Sequence, residues 1–408
     1  MRPNRIRHLE TVPSNGRDRG RDSNNRNESQ TLIPANVRRV ALVNIDYTLL
    51  ITMILLVAIG IIMVYSASYY VAATSPRFGQ NMFALVRSQI GAALVGFAAL
   101  IVMVNFVNYK LLQRLSLLAY LGAIVLLVLT VFIGDDAGGA QRWLTIPGVV
   151  RFQPSEFAKI ALIMLISDMI AKNKNWADKI PGIAILGAII GIMVVLIGRG
   201  TNNMSSAVII AIIGFGIIFA ASARTWLFII GGIGASAVVG FILATGAGFR
   251  AGRFDAWLDP FADPTGTGFQ IIQSLYAIGS GGMFGLGLGQ SRQKLGFIPE
   301  AHNDIIFSVI AEELGFVGAF LVLFLFGVYL WRAIKIALNA QDMFGCLLAT
   351  GCALMVGSQA IINIAVVTNS IPNTGVPLPF ISHGGTSLLV MMIATGILLN
   401  ISRYQSRN

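Results

Sequence analysis

The sequence predicts an all-α integral membrane protein of about ten transmembrane helices, with a long extracytoplasmic loop between the seventh and the eighth. Three observations carry that prediction. The chain of 408 residues is 55% hydrophobic and only 12% charged, whereas a soluble protein carries about 25% charged residues; its mean hydropathy is +0.75. Apolar runs long enough to cross a bilayer recur along its length. Lys and Arg gather in one tail and in short connecting segments. The net charge of +11 therefore follows membrane topology and does not point to nucleic acid.

Residues 1–46 are rich in Arg, Asn and Ser and poor in apolar side chains, the composition of a disordered tail. Nine arginines against five acids assign this tail to the cytoplasm, where it can touch anionic lipid or a partner. Spans are expected at about 47–67, 88–106, 112–133, 155–171, 180–198, 205–221, 226–246, 305–330, 346–366 and 385–400. The first begins too far in for an ordinary signal peptide and reads as a retained span. The membrane domain is thus 47–402, the cytoplasmic C-terminus is 403–408, and both ends lie inside. On this topology the inner segments hold 19 Lys and Arg and the outer segments nine, with much of the bias coming from the tail. Cys346 and Cys352 share one apolar run. They form no metal motif and are poorly placed for a disulfide within one helix.

Two outer loops are more than connectors. Residues 134–154 contain Asp135, Asp136, Arg142, Trp143 and Arg151. Residues 247–304 form the longest loop between spans, and loops of that length are usually functional or disordered. Its stretch FQIIQSLYAI (269–278), which includes Gln273, suits a short packed or interfacial helix. Its glycine-rich stretch 279–289 allows tight turns, but lacks the Lys-Ser/Thr ending of a phosphate-binding P-loop.

The densest polar constellation leads into the eighth span. Glu300, His302 and Asp304 fall within five positions, and Glu312 and Glu313 follow inside the apolar run. Ionisable groups at membrane depth are costly and point to function. Asp304 is also placed to cap a helix starting at Ile305. In QPSEFAKIALI (153–163), Pro154 suits a helix start, and Glu156 and Lys159 share one face and can pair. Such a pair either holds helices in register or serves a site. Arg142, Arg151, Arg250, Arg253, Arg292 and Lys294 face the same compartment as Asp304 on this topology, and clustered Arg and Lys suit phosphate or pyrophosphate. The last loop, NSIPNTGVPLPFISHGGTS (369–387), reads as a rigid re-entrant turn that helps to build a pocket. Ser382 and His383 lie within it.

These stretches resemble the SEDS family (shape, elongation, division and sporulation) of peptidoglycan glycosyltransferases. The match lies in RWLTIPG…QPSEFAK (142–159), DP…GTGFQIIQSLYAIGSGGMFGLGLGQSRQK (259–294), IPEAHNDIIFSVIAEELGF (298–316) and TGVPLPFISHGGTS (374–387). The GLGLGQSRQK segment and the basic tail look more like the FtsW and sporulation branch than the RodA elongation branch. The chain departs from the family pattern at Asn303, where Thr is usual, at Ile305, where Phe is usual, and at His383, where Tyr is usual. Its GTNNMSSA segment (200–207) lacks a usual Pro.

The resemblance implies ten helices, lipid II as substrate, and a class B penicillin-binding protein among other division proteins as partners. It implies the plasma membrane of a bacterium, at the division septum. It assigns the essential aspartate to Asp304 and the acid and base pair of the fourth span to Glu156 and Lys159. Arg142, Arg253, Gln273, Lys294, Glu300, His302 and Ser382 are expected to bind substrate or support the site. A divalent cation, Mg or Mn, held partly by Asp304, is a possible cofactor. A glycosyltransferase needs a base near the acceptor hydroxyl, and Asp304 fits. The competing readings are a lipid II flippase, an elongation polymerase and a non-catalytic scaffold. A flippase spreads its polar groups through the membrane depth, whereas here they gather on the outer side.

Overall fold

The computed structural model describes residues 45–136, 141–146, 150–222, 249–296 and 300–405. Residues 1–44 of the expected tail and the expected seventh span at 226–246 lie outside the described residues.

The helices are Tyr47–Thr74 (α1), Ala84–Asn105 (α2), Tyr109–Ile133 (α3), Pro154–Lys172 (α4), the short Asn175–Asp178 (α5), Ile180–Val195 (α6), Met204–Ala221 (α7), Phe249–Leu258 (α8), Phe269–Ser280 (α9), Ile306–Leu338 (α10), Met343–Val367 (α11) and Gly385–Ser402 (α12). Local chemistry sets their starts. Asp46 caps α1 through Leu49 N, Asn108 caps α3 through Lys110 N, Asn203 caps α7 through Ser206 N and Asp342 caps α11 through Gly345 N. Pro154 stands in the first turn of α4, as expected. α6 ends in a wider turn, Leu196–Gly200, that carries the span onward.

Eight of the described helices are long and apolar enough to cross a membrane. The helix α4 is as long as a span but carries Glu156, Lys159, Asp168 and Lys172. It can hold three of these because Glu156, Lys159 and Asp168 are buried in protein rather than in lipid. The innermost helices are α12 and α11, with 78% and 67% of their apolar windows buried. By contrast α3 and α6, at 28% each, turn Leu118, Phe132 and Ile192 outward. The helix α12 packs on α2, α4 packs on α3, α7 and α11, and α10 packs on α1 and α11.

The loop after α3 adds a feature absent from an all-helical expectation. Asp135–Asp136 (β1), Gln141–Ile146 (β2) and Val150–Phe152 (β3) form a small antiparallel sheet in the order β1-β2-β3. The register sets Thr145 opposite Arg151 and Leu144 opposite Phe152. Strand alternation then puts Trp143, Thr145 and Arg151 on one face, where Arg151 stacks over the Trp143 ring at 5.1 Å and reaches Asp135 at 3.7 Å.

The helix α10 is interrupted at Gly315, which has φ 68° and ψ −166°. There the glycine-rich loop runs alongside the helix backbone. Leu286 N and Gly287 N donate to Glu312 O and Glu313 O, and Phe316 N and Val317 N donate to Gly282 O and Met283 O. A Cβ at Gly315 would lie 2.3 Å from Gly285 N, so both the conformation and the approach require glycine.

Candidate active site

A cavity of about 900 Å³ opens beneath the small sheet. Arg142 and Arg151 of the sheet, Glu156 and Lys159 of α4, Arg253 of α8, and Glu300, His302 and Asp304 of the turn before α10 all line it. Residues from these four parts of the sequence thus meet beside the re-entrant loop 368–384, which lines the cavity through Thr374, Gly375, Val376, Pro377, His383 and Gly384. That loop buries Val376, Leu378, Phe380 and Ile381 and packs Phe380 against Tyr329 of α10.

Asp304 does not cap α10. The helix starts at Ile306, its N-cap residue is Ile305, and no side chain caps it. The carboxylate instead lines the cavity, facing Gly375 closely enough that a Cβ there would sit 3.4 Å from Oδ2. Burial is the main cause that pushes the Asp304 carboxyl up to about 6, and Glu300 adds to it. Its own backbone N–H and the Arg253 guanidinium oppose the rise. The turn that presents it is closed by Asn303, whose amide reaches Glu300 Oε2 at 2.6 Å. Glu300 itself sits in the left-handed region at φ 49°, a strained conformation of the kind that accumulates at functional sites.

Three guanidinium groups, Arg142, Arg151 and Arg253, share the cavity with Asp304. Arg142 donates to Asn202 O at 3.3 Å, and its Nε is buried without a hydrogen-bond partner. Burial and then the nearby Arg253 hold the Arg142 guanidinium below its ordinary value. Two cations that repel one another across one wall favour an anion between them. Arg253 donates to Asn373 O at 3.3 Å and so is braced by the re-entrant loop.

In the α4 wall of the cavity, Lys159 Nζ meets Glu156 Oε1 at 2.7 Å with both side chains buried. The other carboxylate oxygen, Oε2, has no partner, and neither does Oε1 of the buried Gln359 on α11. The cavity therefore offers cations in its sheet and α8 walls and bare acceptors from α4 and α11. Phosphate oxygens suit the first, and hydroxyl or amide hydrogens suit the second.

A family model described as a cell cycle protein, covering FtsW, RodA and SpoVE, matches residues 46–407. The chain belongs to that family. Stage V sporulation protein E of Bacillus subtilis is 41% identical over 369 residues, covering 88% of this chain and 97% of that protein. A probable peptidoglycan glycosyltransferase FtsW of Trichlorobacter lovleyi is also 41% identical, covering 88% and 93%. Among solved structures, a chain from a study of how a peptidoglycan synthase complex coordinates polymerization and crosslinking superposes with TM-score 0.74. It is 26% identical and covers 89% of this chain and 100% of its own. RodA of Thermus thermophilus superposes with TM-score 0.64 at 24% identity, covering 90% of this chain and 99% of its own, which shows a shared fold. The chain is accordingly a multi-pass membrane protein of the FtsW/RodA/SpoVE family.

Within this family member, three of the expected site residues stand away from the cavity lining. Lys294 is fully buried against Glu313 at 2.6 Å. Ser382 is buried in the re-entrant loop, donating to Asn303 O and accepting from Leu378 N. Gln273 lies half-buried on α9 and does not line the cavity. Sequence reasoning passed over Asn203, Ser206 and Gln359, which do line it, and Asn363, one turn beyond Gln359. The signal for the last two was present. They are polar residues four apart inside the otherwise apolar stretch QAIIN (359–363), and so share one face of the helix.

Proposed function

We propose that this chain is a peptidoglycan glycosyltransferase that polymerises lipid II into glycan strands during cell division, with Asp304 as general base. The observation that carries the reading is the meeting of a half-buried carboxyl, raised by desolvation to about 6, with three guanidinium groups in one cavity. A base poised near neutrality suits the acceptor hydroxyl, and the arginines suit the pyrophosphate that leaves. In the reaction the Asp304 carboxylate takes the proton of the 4-hydroxyl of the incoming lipid II. The oxygen forms a bond to the anomeric carbon of the growing chain, and the bond from that carbon to pyrophosphate breaks. The electron pair departs with the pyrophosphate toward Arg142, Arg151 and Arg253. A single displacement of this kind inverts the anomeric carbon, from an α-linked donor to a β-linked product.

Asp304 and Glu300 are the carboxylates that would hold a divalent cation. Among the described residues no cluster of three or more His, Cys, Asp or Glu forms a metal site. Mg²⁺ commonly takes one or two carboxylates and completes its shell with water and substrate phosphate, so the donor set fits a cation arriving with the pyrophosphate. It would supply charge neutralisation on the leaving group.

The FtsW and SpoVE relatives at 41% identity support a role in division or sporulation, at the septum of the bacterial plasma membrane with both termini inside. The fold shared with a chain of a peptidoglycan synthase complex supports a crosslinking partner of the class B penicillin-binding type. Polymerisation of lipid II by the full chain with that partner, its transpeptidase blocked, tests the reading. Wild type makes glycan strands and a folded, partner-binding Asp304→Ala makes none. Strands from both variants would remove Asp304 from the chemistry. Strands from neither, with lipid II crossing liposomes, would make the protein a flippase.

A further inference from the structure

Three consecutive carbonyls lead into α10, and each is held by a donor from another part of the chain. His302 O accepts from His383 N at 2.9 Å, Asn303 O accepts from Ser382 Oγ at 2.5 Å, and Asp304 O accepts from Asn363 Nδ2 at 2.6 Å. The first two donors belong to the re-entrant loop. The third belongs to α11, and it does more than satisfy one carbonyl. The same Nδ2 donates to Val376 O at 2.7 Å, so both amide hydrogens of one side chain are used.

Those two carbonyls belong to the two segments that form the slot around the Asp304 carboxylate. One is the backbone of Asp304 itself. The other is the backbone of Val376, next to Gly375, the residue facing Asp304 Oδ2. Asn363 therefore fixes the width of the slot from behind. Its side chain is 1% exposed, it is not among the cavity-lining residues, and its Oδ1 has no partner. The amide orientation is forced, because the flipped form would set Oδ1 against two carbonyl oxygens.

We propose that Asn363 is a positioning residue for the general base, setting where the Asp304 carboxylate sits without touching substrate. The proposal rests on the reading of Asp304 as that base. It predicts a particular pattern. Replacing the amide leaves Arg142 and Arg151 of the sheet in place, so substrate affinity is kept. The base, however, loses its alignment with the acceptor hydroxyl, and misplacement by about 1 Å costs on the order of 100-fold in rate.

The test uses the full chain with its partner and lipid II, comparing wild type with Asn363→Asp and Asn363→Ser. The first has the same shape and exchanges both donors for an acceptor. The second is milder and keeps a single donor. The expected result is a loss in kcat on the order of 100-fold for Asn363→Asp, with KM unchanged and partner binding retained, and a smaller loss for Asn363→Ser. A second measurement reads position without activity. In a Cys346→Ala, Cys352→Ala background, Asp304→Cys is labelled with a soluble thiol reagent, with and without Asn363→Ser, and labelling is expected to change severalfold. Wild-type kcat in both variants, or a rise in KM with kcat kept, overturns the proposal. So does loss of partner binding by both variants, which would make Asn363 a general structural residue. If wild type makes no glycan, the glycosyltransferase reading fails, and labelling at residue 304 still decides whether Asn363 sets its position.

Discussion

The Lys294 ammonium lies 2.6 Å from the Glu313 carboxylate with neither side chain exposed. Glu313 also accepts from Ser66 Oγ, from Gly289 N and from Ser291 N, while Glu312 accepts from Ser291 Oγ and Arg292 N. Two adjacent acids beside the interruption in α10 thus anchor the glycine-rich loop. Removing one partner of a buried pair leaves an uncompensated charge and costs about 3–5 kcal/mol. Lys294→Met is expected to lower thermal stability in detergent by that amount, and Lys294→Met with Glu313→Gln to recover part of it. The KM for lipid II should not follow, since Lys294 is outside the cavity. A raised KM at unchanged melting temperature would return Lys294 to the substrate site.

The second prediction concerns pH. As a general base Asp304 works ionised, so the acid limb of kcat/KM is expected near pH 6, the value to which burial raises it. Glu300 pushes in the same direction and Arg253 opposes. Glu300→Gln should move the limb to lower pH, and Arg253→Gln should move it to higher pH. The other ionisable groups of the cavity set the background. Burial holds the His383 imidazole below its ordinary value against the pull of Glu300. Glu156 and Lys159 lie 2.7 Å apart as a pair, and His302, Arg142 and Arg151 also line the walls. A limb near pH 4 that neither variant moves would show that another step sets the profile.

Much of this site was legible from residue type and spacing. Glu156 and Lys159, three apart on one helix, pair as their positions require, and Asp304 stands in the polar cluster before α10. By charge alone the arginines were legible only as a compartment, and the family resemblance singled out Arg142 and Arg253. Arg142, Arg151 and Arg253 reach the cavity because a small sheet and α8 carry them there, while Lys294 turns inward to a carboxylate that no local pattern assigns to it. Asp304 looked like a cap because caps are read from the next residue along, and the helix begins two residues later. Asn363 stood out as a polar residue in an apolar run, but its role did not. Its value comes from two carbonyls, 59 and 13 positions away in sequence, and backbone acceptors leave no mark on composition.

A third prediction follows from burial of the same carboxyl. Its ordinary value is 3.8 and its folded value about 6. An acid raised on folding favours the folded state fully only below its unfolded value. That contribution is lost as pH rises through the folded value, so at pH 7 the ionised Asp304 costs stability. A displacement of about two pH units is worth roughly 3 kcal/mol. Asp304→Asn removes the charge and is expected to melt higher than wild type at pH 7 by up to that amount, with the gap closing below about pH 4. Thermal unfolding in detergent at the two pH values checks it. A variant that melts lower at pH 7 would mean that the carboxylate is held by cations strongly enough to outweigh its burial.

The last prediction concerns the acceptors that face the cavity from α4 and α11. Gln359 is 1% exposed and its Oε1 has no partner, while its Nε2 donates to Met355 O of its own helix. A buried acceptor left unmade costs about 1–3 kcal/mol. The side chain therefore weakens the free protein at a place where substrate can enter. If that oxygen receives a hydroxyl or amide hydrogen of the sugar, Gln359→Leu should spare or strengthen the free protein while weakening substrate binding. The melting temperature of the free protein should stay level or rise, because leucine fills the same space with no unsatisfied atom. The KM for lipid II should rise about tenfold, the equivalent of one hydrogen bond of 1.4 kcal/mol, with kcat less affected because Gln359 holds no proton in the reaction. Stability and KM rising together would identify Gln359 as a binding residue. A higher melting temperature at unchanged KM would show that the acceptor serves no ligand, and that the sugar is held by the sheet and the re-entrant loop instead.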